Sequence, residues 1–333
     1  MASVAGLRLV DHLQRSSRLA SGQNRGAANS AKKGSQGLGA DSAERTHATK
    51  GAERLYERDI LEGKLFDLSG STAFVTGSAR GMGAAIAVGM ARCGAKVVVS
   101  DILPEDQMAP VVEKIHKLGR DAISLQCDVR DRKAVDDAVK KAADHFGSLD
   151  IMCANAGILG KLSHADSISQ RNWHEVMGIN VEGVYNCARA AYPLMKRGGY
   201  GKLILMSSIA AVRGFGAQVA YCSSKGALLS MAKSLAVAWG KDNIQASSRV
   251  NCLLGGAINT PFLDQVLNTP HKVDYILHRI PAGRLGVPED IVGPAVFLAS
   301  RASDYVTGTE VVVDGGGIQV PMLADQNPED YQV

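Results

Sequence analysis

The pattern that most limits the fold of this chain is an alternation, from about residue 67 onward, of short apolar runs with longer segments of helical period. The runs A-F-V-T, K-V-V-V-S, A-I-S-L-Q, L-D-I-M-C-A, K-L-I-L-M-S, S-R-V-N-C-L and E-V-V-V predict strands at 73–76, 96–100, 122–126, 149–154, 202–207, 248–253 and 310–313. Between them the apolar spacing predicts helices over 82–93, 105–118, 131–146, 170–196, 217–239 and 289–299. Strands this continuously apolar must be covered on both faces, and a helix between successive strands is the connection that parallel pairing requires. Such crossovers are right-handed. The expected fold class is therefore α/β: a single doubly wound domain over 67–320, with a mostly parallel seven-stranded sheet and helices on both faces.

Composition enters as a set of exclusions. Of 333 residues, 46% are hydrophobic and 21% charged, which suffices for a large core. No run reaches 18 apolar residues, so no membrane span is expected. The net charge is +4, yet the first 40 residues alone hold six basic side chains against Asp11, so the remainder is slightly acidic. The basic balance belongs to the tail and does not argue for nucleic-acid binding. The six cysteines are scattered without a C-x-x-C pair, which suits a reducing compartment, mitochondrial matrix or cytoplasm. The eight histidines show no metal-binding spacing, so no metal is expected.

Residues 1–66 form an N-terminal extension of different character, and 321–333 a C-terminal tail. The stretch 21–43 is rich in Gly, Ser, Ala, Asn and Lys and reads as disordered. Ahead of it, Leu7, Val10, Leu13 and Leu19 interleave with Arg8, Arg15 and Arg18, as in a mitochondrial presequence. Asp11 is unusual in such a segment, and a plain unstructured extension is the other reading.

The first strand runs directly into T-G-S-A-R-G-M-G, Thr76 to Gly83. Glycines at 77, 81 and 83 permit a tight turn, close approach of backbone to a phosphate, and close packing of the following helix. That helix begins near Met82 and offers its free N–H groups and positive dipole end to an anion. The context, strand then glycines then helix, is that of a Rossmann-type dinucleotide site, although the spacing is G-x-x-x-G-x-G. The second strand ends in Asp101, whose carboxylate can accept from ribose hydroxyls and repel a 2′-phosphate, favouring NAD over NADP. Asp101 could equally cap the next helix, with Pro104 at an early helical position. Arg80 argues for NADP, and Ile102, standing where a basic residue would, argues against it.

Tyr221 and Lys225 lie four residues apart within the helix expected over 217–239, hence on one face. A positive charge beside a phenol lowers its pKa and makes it a usable proton donor and acceptor. Ser208 ends the preceding strand.

Taken together these residues resemble the short-chain dehydrogenase/reductase family over about 67–319. T-G-S-A-R-G-M-G matches its cofactor fingerprint, C-D-V at 127–129 its adenine-side acid, and A-N-A-G at 154–157 its N-N-A-G with the first Asn replaced. I-N-V-E-G-V carries the helix asparagine at Asn180; M-S-S and Y-C-S-S-K supply Ser208, Tyr221 and Lys225; R-L-G-V-P-E-D-I and T-G-T-E-V-V-V-D-G-G match late elements. The resemblance implies an NAD-dependent hydride transfer between cofactor and a secondary alcohol or ketone. Tyr221 would be the acid/base, Lys225 would lower its pKa and hold the nicotinamide ribose, Ser208 would steady the reacting oxygen, and Asn180 would sustain a water link from Lys225. It implies cofactor contacts at Gly77, Arg80, Gly81, Met82, Gly83, Asp101, Asp128, Val129, Asn155, Ala156, Gly157, Ile258 and Thr260, besides Tyr221 and Lys225. Family members are commonly tetramers, so a homo-oligomer, tetramer or dimer, is expected.

Where the family has Pro-Gly this chain has Gly255-Gly256, which suggests looser support for Ile258 and Thr260. The entry L-F-D-L-S-G looks like that of sugar-acid dehydrogenases such as gluconate 5-dehydrogenase. Two alternatives stand beside this reading: a 3-oxoacyl-carrier-protein reductase-like NADP enzyme, against which Asp101 speaks, and a non-catalytic NAD-binding subunit, which the retained Tyr and Lys disfavour. The substrate pocket is expected from 158–166, 211–219 and a helical insert over 261–283, in which Phe262, Leu263, Val266 and Leu267 would pack. His271 or Lys272 would meet an acidic substrate or simply face solvent.

Overall fold

A computed structural model describes residues 59–60, 62–240, 248–267 and 270–320 of the chain. Residues 1–58, 61 and 321–333 lie outside the described residues, and with them most of the expected extension and the tail. Contacts with the domain begin before Asp67: the Asp59 carboxylate pairs with Arg301 at 3.0 Å, and the Ala302 N–H donates to the Leu65 carbonyl at 3.2 Å.

Seven strands form one sheet: β1 (Thr72–Thr76), β2 (Lys96–Asp101), β3 (Ala122–Gln126), β4 (Ile151–Ala154), β5 (Gly201–Ser208), β6 (Ser248–Gly255) and β7 (Glu310–Val313). Their spatial order is β3-β2-β1-β4-β5-β6-β7 and every neighbouring pair is parallel. The chain starts in the middle, winds outward one way to β3, then returns to β4 and winds the other way. The carboxyl ends of β1 and β4 thus diverge, opening the crevice where ligands of such sheets bind.

Alternate strand residues face opposite layers, as the two-residue period of a strand requires. Ala73, Val75, Val97, Val99, Ile151, Cys153, Ile204 and Met206 point into one core. Phe74, Val98, Met152, Ala154, Leu203 and Leu205 point into the other. The first core is closed by α1 (Gly81–Arg92), α2 (Glu105–His116) and α9 (Val292–Ala299). The second is closed by α3 (Arg132–Phe146), α5 (Val184–Gly198) and α6 (Val219–Trp239). Burial of both faces is why the strands read as unbroken apolar runs. The doubly wound, seven-stranded expectation holds.

One helix prediction needs correction. The segment expected as one helix over 170–196 is α4 (Gln170–Met177), a π-helical turn over Gly178–Gly183, and α5. A π turn keeps helical periodicity on both sides, so the pattern could not reveal it. The insert holds two short helices, α7 (Pro261–Asp264) and α8 (Pro270–Leu277).

Candidate active site

The crevice begins at the β1–α1 turn. Gly77 adopts φ 63°, the left-handed region in which glycine carries no penalty. A Cβ on Gly77 would stand 2.8 Å from Ala156 Cα, and one on Gly83 only 2.2 Å from the Gly77 carbonyl oxygen. Side chains are therefore excluded by the loops themselves. Thr76 Oγ1 accepts from the Asn155 and Ala156 N–H groups, each at 3.0 Å, while Asn155 Nδ2 donates to the Thr76 and Gly77 carbonyls at 2.9 and 3.0 Å. The ends of β1 and β4 are stitched together by these four bonds. Arg80 precedes α1 in extended conformation and no side chain caps the helix, so the first-turn N–H groups remain open to a ligand.

Around this turn lies a cleft of about 700 Å³, lined by Gly77, Arg80, Gly81, Met82, Gly83, Asp101, Asp128, Val129, Asn155, Ala156, Gly157, Tyr221, Lys225 and Thr260. Fourteen of the fifteen expected cofactor residues are thus brought to one cleft. The exception is Ile258, which is buried, packs in the first core and lines a neighbouring cavity. Asp101 does not cap the next helix, whose N-cap is Pro104. Its Oδ2 accepts from the Ala79 N–H at 3.1 Å and its Oδ1 from the Leu103 N–H at 3.2 Å, which orients the carboxylate at the cleft. The Arg130 guanidinium hydrogen-bonded to Asp128, 2.6 Å at the shortest, holds that carboxyl below its usual range. A turn closed to side chains, an uncapped helix start and a carboxylate at the end of β2 fit an adenine dinucleotide.

Gly255-Gly256 does not loosen the site. Gly255 ends β6, paired on both sides with Ser208 and Val313. The Gly256 N–H donates to the Val313 carbonyl at 2.9 Å, and a Cβ on Gly256 would sit 2.6 Å from Asp314 Cβ. Beyond it Ile258 bridges to Gly286. Tertiary packing supplies the restraint that proline would have provided.

The residues expected at the reaction end stand on β5 and α6. Tyr221 is buried among Leu159, Ala210 and Phe262, and its ring lies 5.8 Å from that of Phe262. Lys225 is buried too, with Nζ 5.7 Å from the centroid of the Tyr221 ring and donating to the Met206 carbonyl at 2.7 Å. Ser208 Oγ accepts from the Ala210 N–H at 3.1 Å.

The electrostatics run opposite to the expected lowering of the phenol. Burial pushes Tyr221 up to about 12, and the Ser208 hydrogen bond only partly opposes it. Burial also pulls Lys225 down to about 8. Desolvation disfavours whichever form is charged, so it moves an acid and a base in contrary directions. At neutral pH the phenol is a proton donor.

Asn180 is fully buried and its side chain is occupied: Oδ1 accepts from the Ile158 N–H at 2.8 Å, while Nδ2 donates to the Ile158 carbonyl at 2.8 Å and to Ser224 Oγ at 3.0 Å. It braces the loop after β4 against α6. Asn180 itself lies within the π turn. Ser224, which sequence reasoning passed over, completes the brace by donating to the Tyr221 carbonyl at 2.7 Å. Ser207 Oγ likewise donates to the Lys225 carbonyl at 3.0 Å. The only available signal was their adjacency to Lys225 and Ser208.

A second cavity of about 480 Å³ adjoins the cleft and is lined by Ser208, Tyr221, Ile258, Phe262, Leu263, Val266 and Lys272 among others. Tyr221 and Thr260 border both spaces. The segments expected to form the substrate pocket contribute here, but His271 lines neither space.

Fold, glycine turn and the Ser208–Tyr221–Lys225 grouping define a nicotinamide-dinucleotide oxidoreductase. Residues 77–317 match the sequence model of the family described as enoyl-(acyl carrier protein) reductase. The chain belongs to the short-chain dehydrogenase/reductase family, whose members here are dehydrogenases and reductases acting on CH–OH groups. It is 37% identical over 252 residues to 2-dehydro-3-deoxy-D-gluconate 5-dehydrogenase of Dickeya dadantii, covering 75% of this chain and 96% of the relative. It is 38% identical over 253 residues to L-rhamnose 1-dehydrogenase (NAD(P)(+)) of a Sphingomonas species, with 75% and 96% covered. Among solved structures it resembles a gluconate 5-dehydrogenase from Burkholderia cenocepacia in complex with NADP and tartrate, at 32% identity and TM-score 0.73 over 78% of this chain and 99% of that one. Among the described residues no helix is long and apolar enough to cross a membrane.

Proposed function

We propose that this chain interconverts a secondary alcohol and its ketone with NAD(H), with Tyr221 handling the proton. The observation that carries the reading is the position of Tyr221 on the wall shared by the two spaces, with Lys225 on the cleft side and Ser208 on the cavity side. The nicotinamide, when bound, supplies or accepts the hydride. In reduction Tyr221 Oη donates its proton to the substrate oxygen, and the Ser208 hydroxyl donates a hydrogen bond as negative charge develops there. Lys225 keeps positive charge within reach of the phenol and of the cofactor ribose, and Asn180 with Ser224 holds these groups in place.

NAD is preferred in this reading because the Asp101 carboxylate is fixed at the end of β2, where it would repel a 2′-phosphate. Arg80, lining the same cleft, is the opposing feature. Relatives do not decide the point: the Burkholderia structure holds NADP, and a 7α-hydroxysteroid dehydrogenase structure holds NADH. The catalytic domain is 67–320, and the working form is a homo-oligomer, tetramer or dimer. None of the six cysteines is disulfide-bonded, in keeping with a reducing compartment, mitochondrial matrix or cytoplasm.

The test is NADH oxidation against a ketone panel by the wild type and Tyr221→Phe. The variant should lose roughly 10²–10⁴-fold in kcat while still binding NADH. Equal turnover by both proteins refutes the assignment.

A further inference from the structure

The walls of the second cavity are chemically unequal. Leu159, Ala210, Phe262 and Val266 pack with Tyr221 on its apolar part. The same lining carries Arg213, Lys272 and Arg279 against one acid, Asp314. That acid is committed to its own turn: Oδ1 accepts from the Gly316 N–H at 2.9 Å and Oδ2 from the Ile318 N–H at 2.7 Å.

The two arginines have neutral partners. Arg213 donates from Nη1 to the Gly317 carbonyl at 2.7 Å and from Nη2 to the Val320 carbonyl at 3.0 Å. Arg279 lies 3.6 Å from the Tyr275 ring centroid and donates to the Tyr275 carbonyl at 3.2 Å. Carbonyls orient a guanidinium without cancelling its charge. Among the described residues no carboxylate pairs with either arginine. Both line the same cavity, and the Arg279 backbone lies against the turn that Arg213 ties down, a Cβ on Gly317 standing 3.6 Å from the Arg279 carbonyl oxygen. Half-buried guanidinium forks held in place beside a cavity favour an anion that completes their hydrogen bonding. Low-dielectric walls strengthen that attraction.

We propose that the substrate is an anionic hydroxy or keto compound whose carboxylate or phosphate is held by Arg213 and Arg279 while its reacting oxygen meets Ser208 and Tyr221. This rests on the reading of Ser208 and Tyr221 as the reaction centre. The arginines are specificity determinants and take no part in proton or hydride movement.

The test is titration calorimetry on the NADH complex with D-gluconate, D-glucitol 6-phosphate and uncharged D-glucitol. At least one anion should bind tenfold or more tightly than D-glucitol, and the stronger of the two identifies the head group. That preference should shrink as salt is raised and fall toward unity in Arg213→Met. Because Arg213 also ties down Gly317 and Val320, Arg279→Met serves as a second variant, with melting temperature recorded for both. Absence of an anion preference, including absence of binding, overturns the proposal, as does a preference that survives in both folded variants. Anion selectivity without turnover of any ketone would instead remove the Tyr221 assignment and leave the anion site standing.

Discussion

The cleft and the cavity that meet at Tyr221 are made of different materials. The cleft is shaped largely by backbone: glycines that admit no Cβ, an uncapped helix start and two loops stitched by Thr76 and Asn155. The cavity is shaped by side chains from distant segments, Arg213 and Phe262 among them. A backbone cradle tolerates very few residue types at each position, whereas a side-chain lining is reassigned by any substitution that preserves volume. One surface is therefore suited to a constant cofactor and the other to a particular substrate.

The sharpest way to break the comparison is to put a side chain into the cradle. Gly83→Ala would place its Cβ 2.2 Å from a carbonyl oxygen that cannot yield without moving the turn. NADH affinity, read by fluorescence titration, should fall by about 100-fold or more, equivalent to about 2.7 kcal/mol. Unchanged affinity would mean the turn does not carry the cofactor. On the cavity side Ser208→Ala should lower kcat by roughly 10²–10³-fold with little change in NADH binding, as for a lost donor to a developing oxyanion. A matching loss of NADH affinity would place Ser208 with the cleft instead.

A smaller effect tests the carboxylate at the edge of the cleft. Asp101→Asn should shift the ratio of kcat/KM for NADPH over NADH about tenfold toward NADPH, the equivalent of about one hydrogen bond or charge contact. No shift would assign discrimination to Arg80.

The smallest expected effect concerns stability. Lys225 is lowered from its ordinary value to about 8 by burial, so between about pH 8 and its unfolded value the unfolded chain binds more protons. Stability from this group therefore rises with pH across that window, and its cost is full below pH 8. Lys225→Met should abolish turnover yet leave the apoprotein as stable or more stable at pH 7, by on the order of 1 kcal/mol, with the difference vanishing near pH 10.5. Thermal melts of both proteins across pH check this. Tyr221 has the opposite sign: raised to about 12, it withdraws stability only as pH climbs above its unfolded value near 10.

Sequence periodicity was enough to place all seven strands, because a strand buried on both faces is a local apolar run and a helix between runs is a local repeat. Residue type and spacing singled out the glycine turn, Asp101, Ser208, Tyr221 and Lys225, which the fold brings to the walls of two adjoining spaces. What depended on tertiary structure was everything set by distance along the chain. Packing against Asp314 made Gly256 a rigid point. The π turn, invisible to periodicity, holds the Asn180 that bonds Ile158. Burial raised a phenol that its neighbouring lysine was expected to lower. The turn after β7 fixes Arg213, and the stacking on Tyr275 fixes Arg279, beside the cavity of Tyr221. Propensity and period act over a few residues, whereas desolvation and charge pairing depend on which segments the fold brings together.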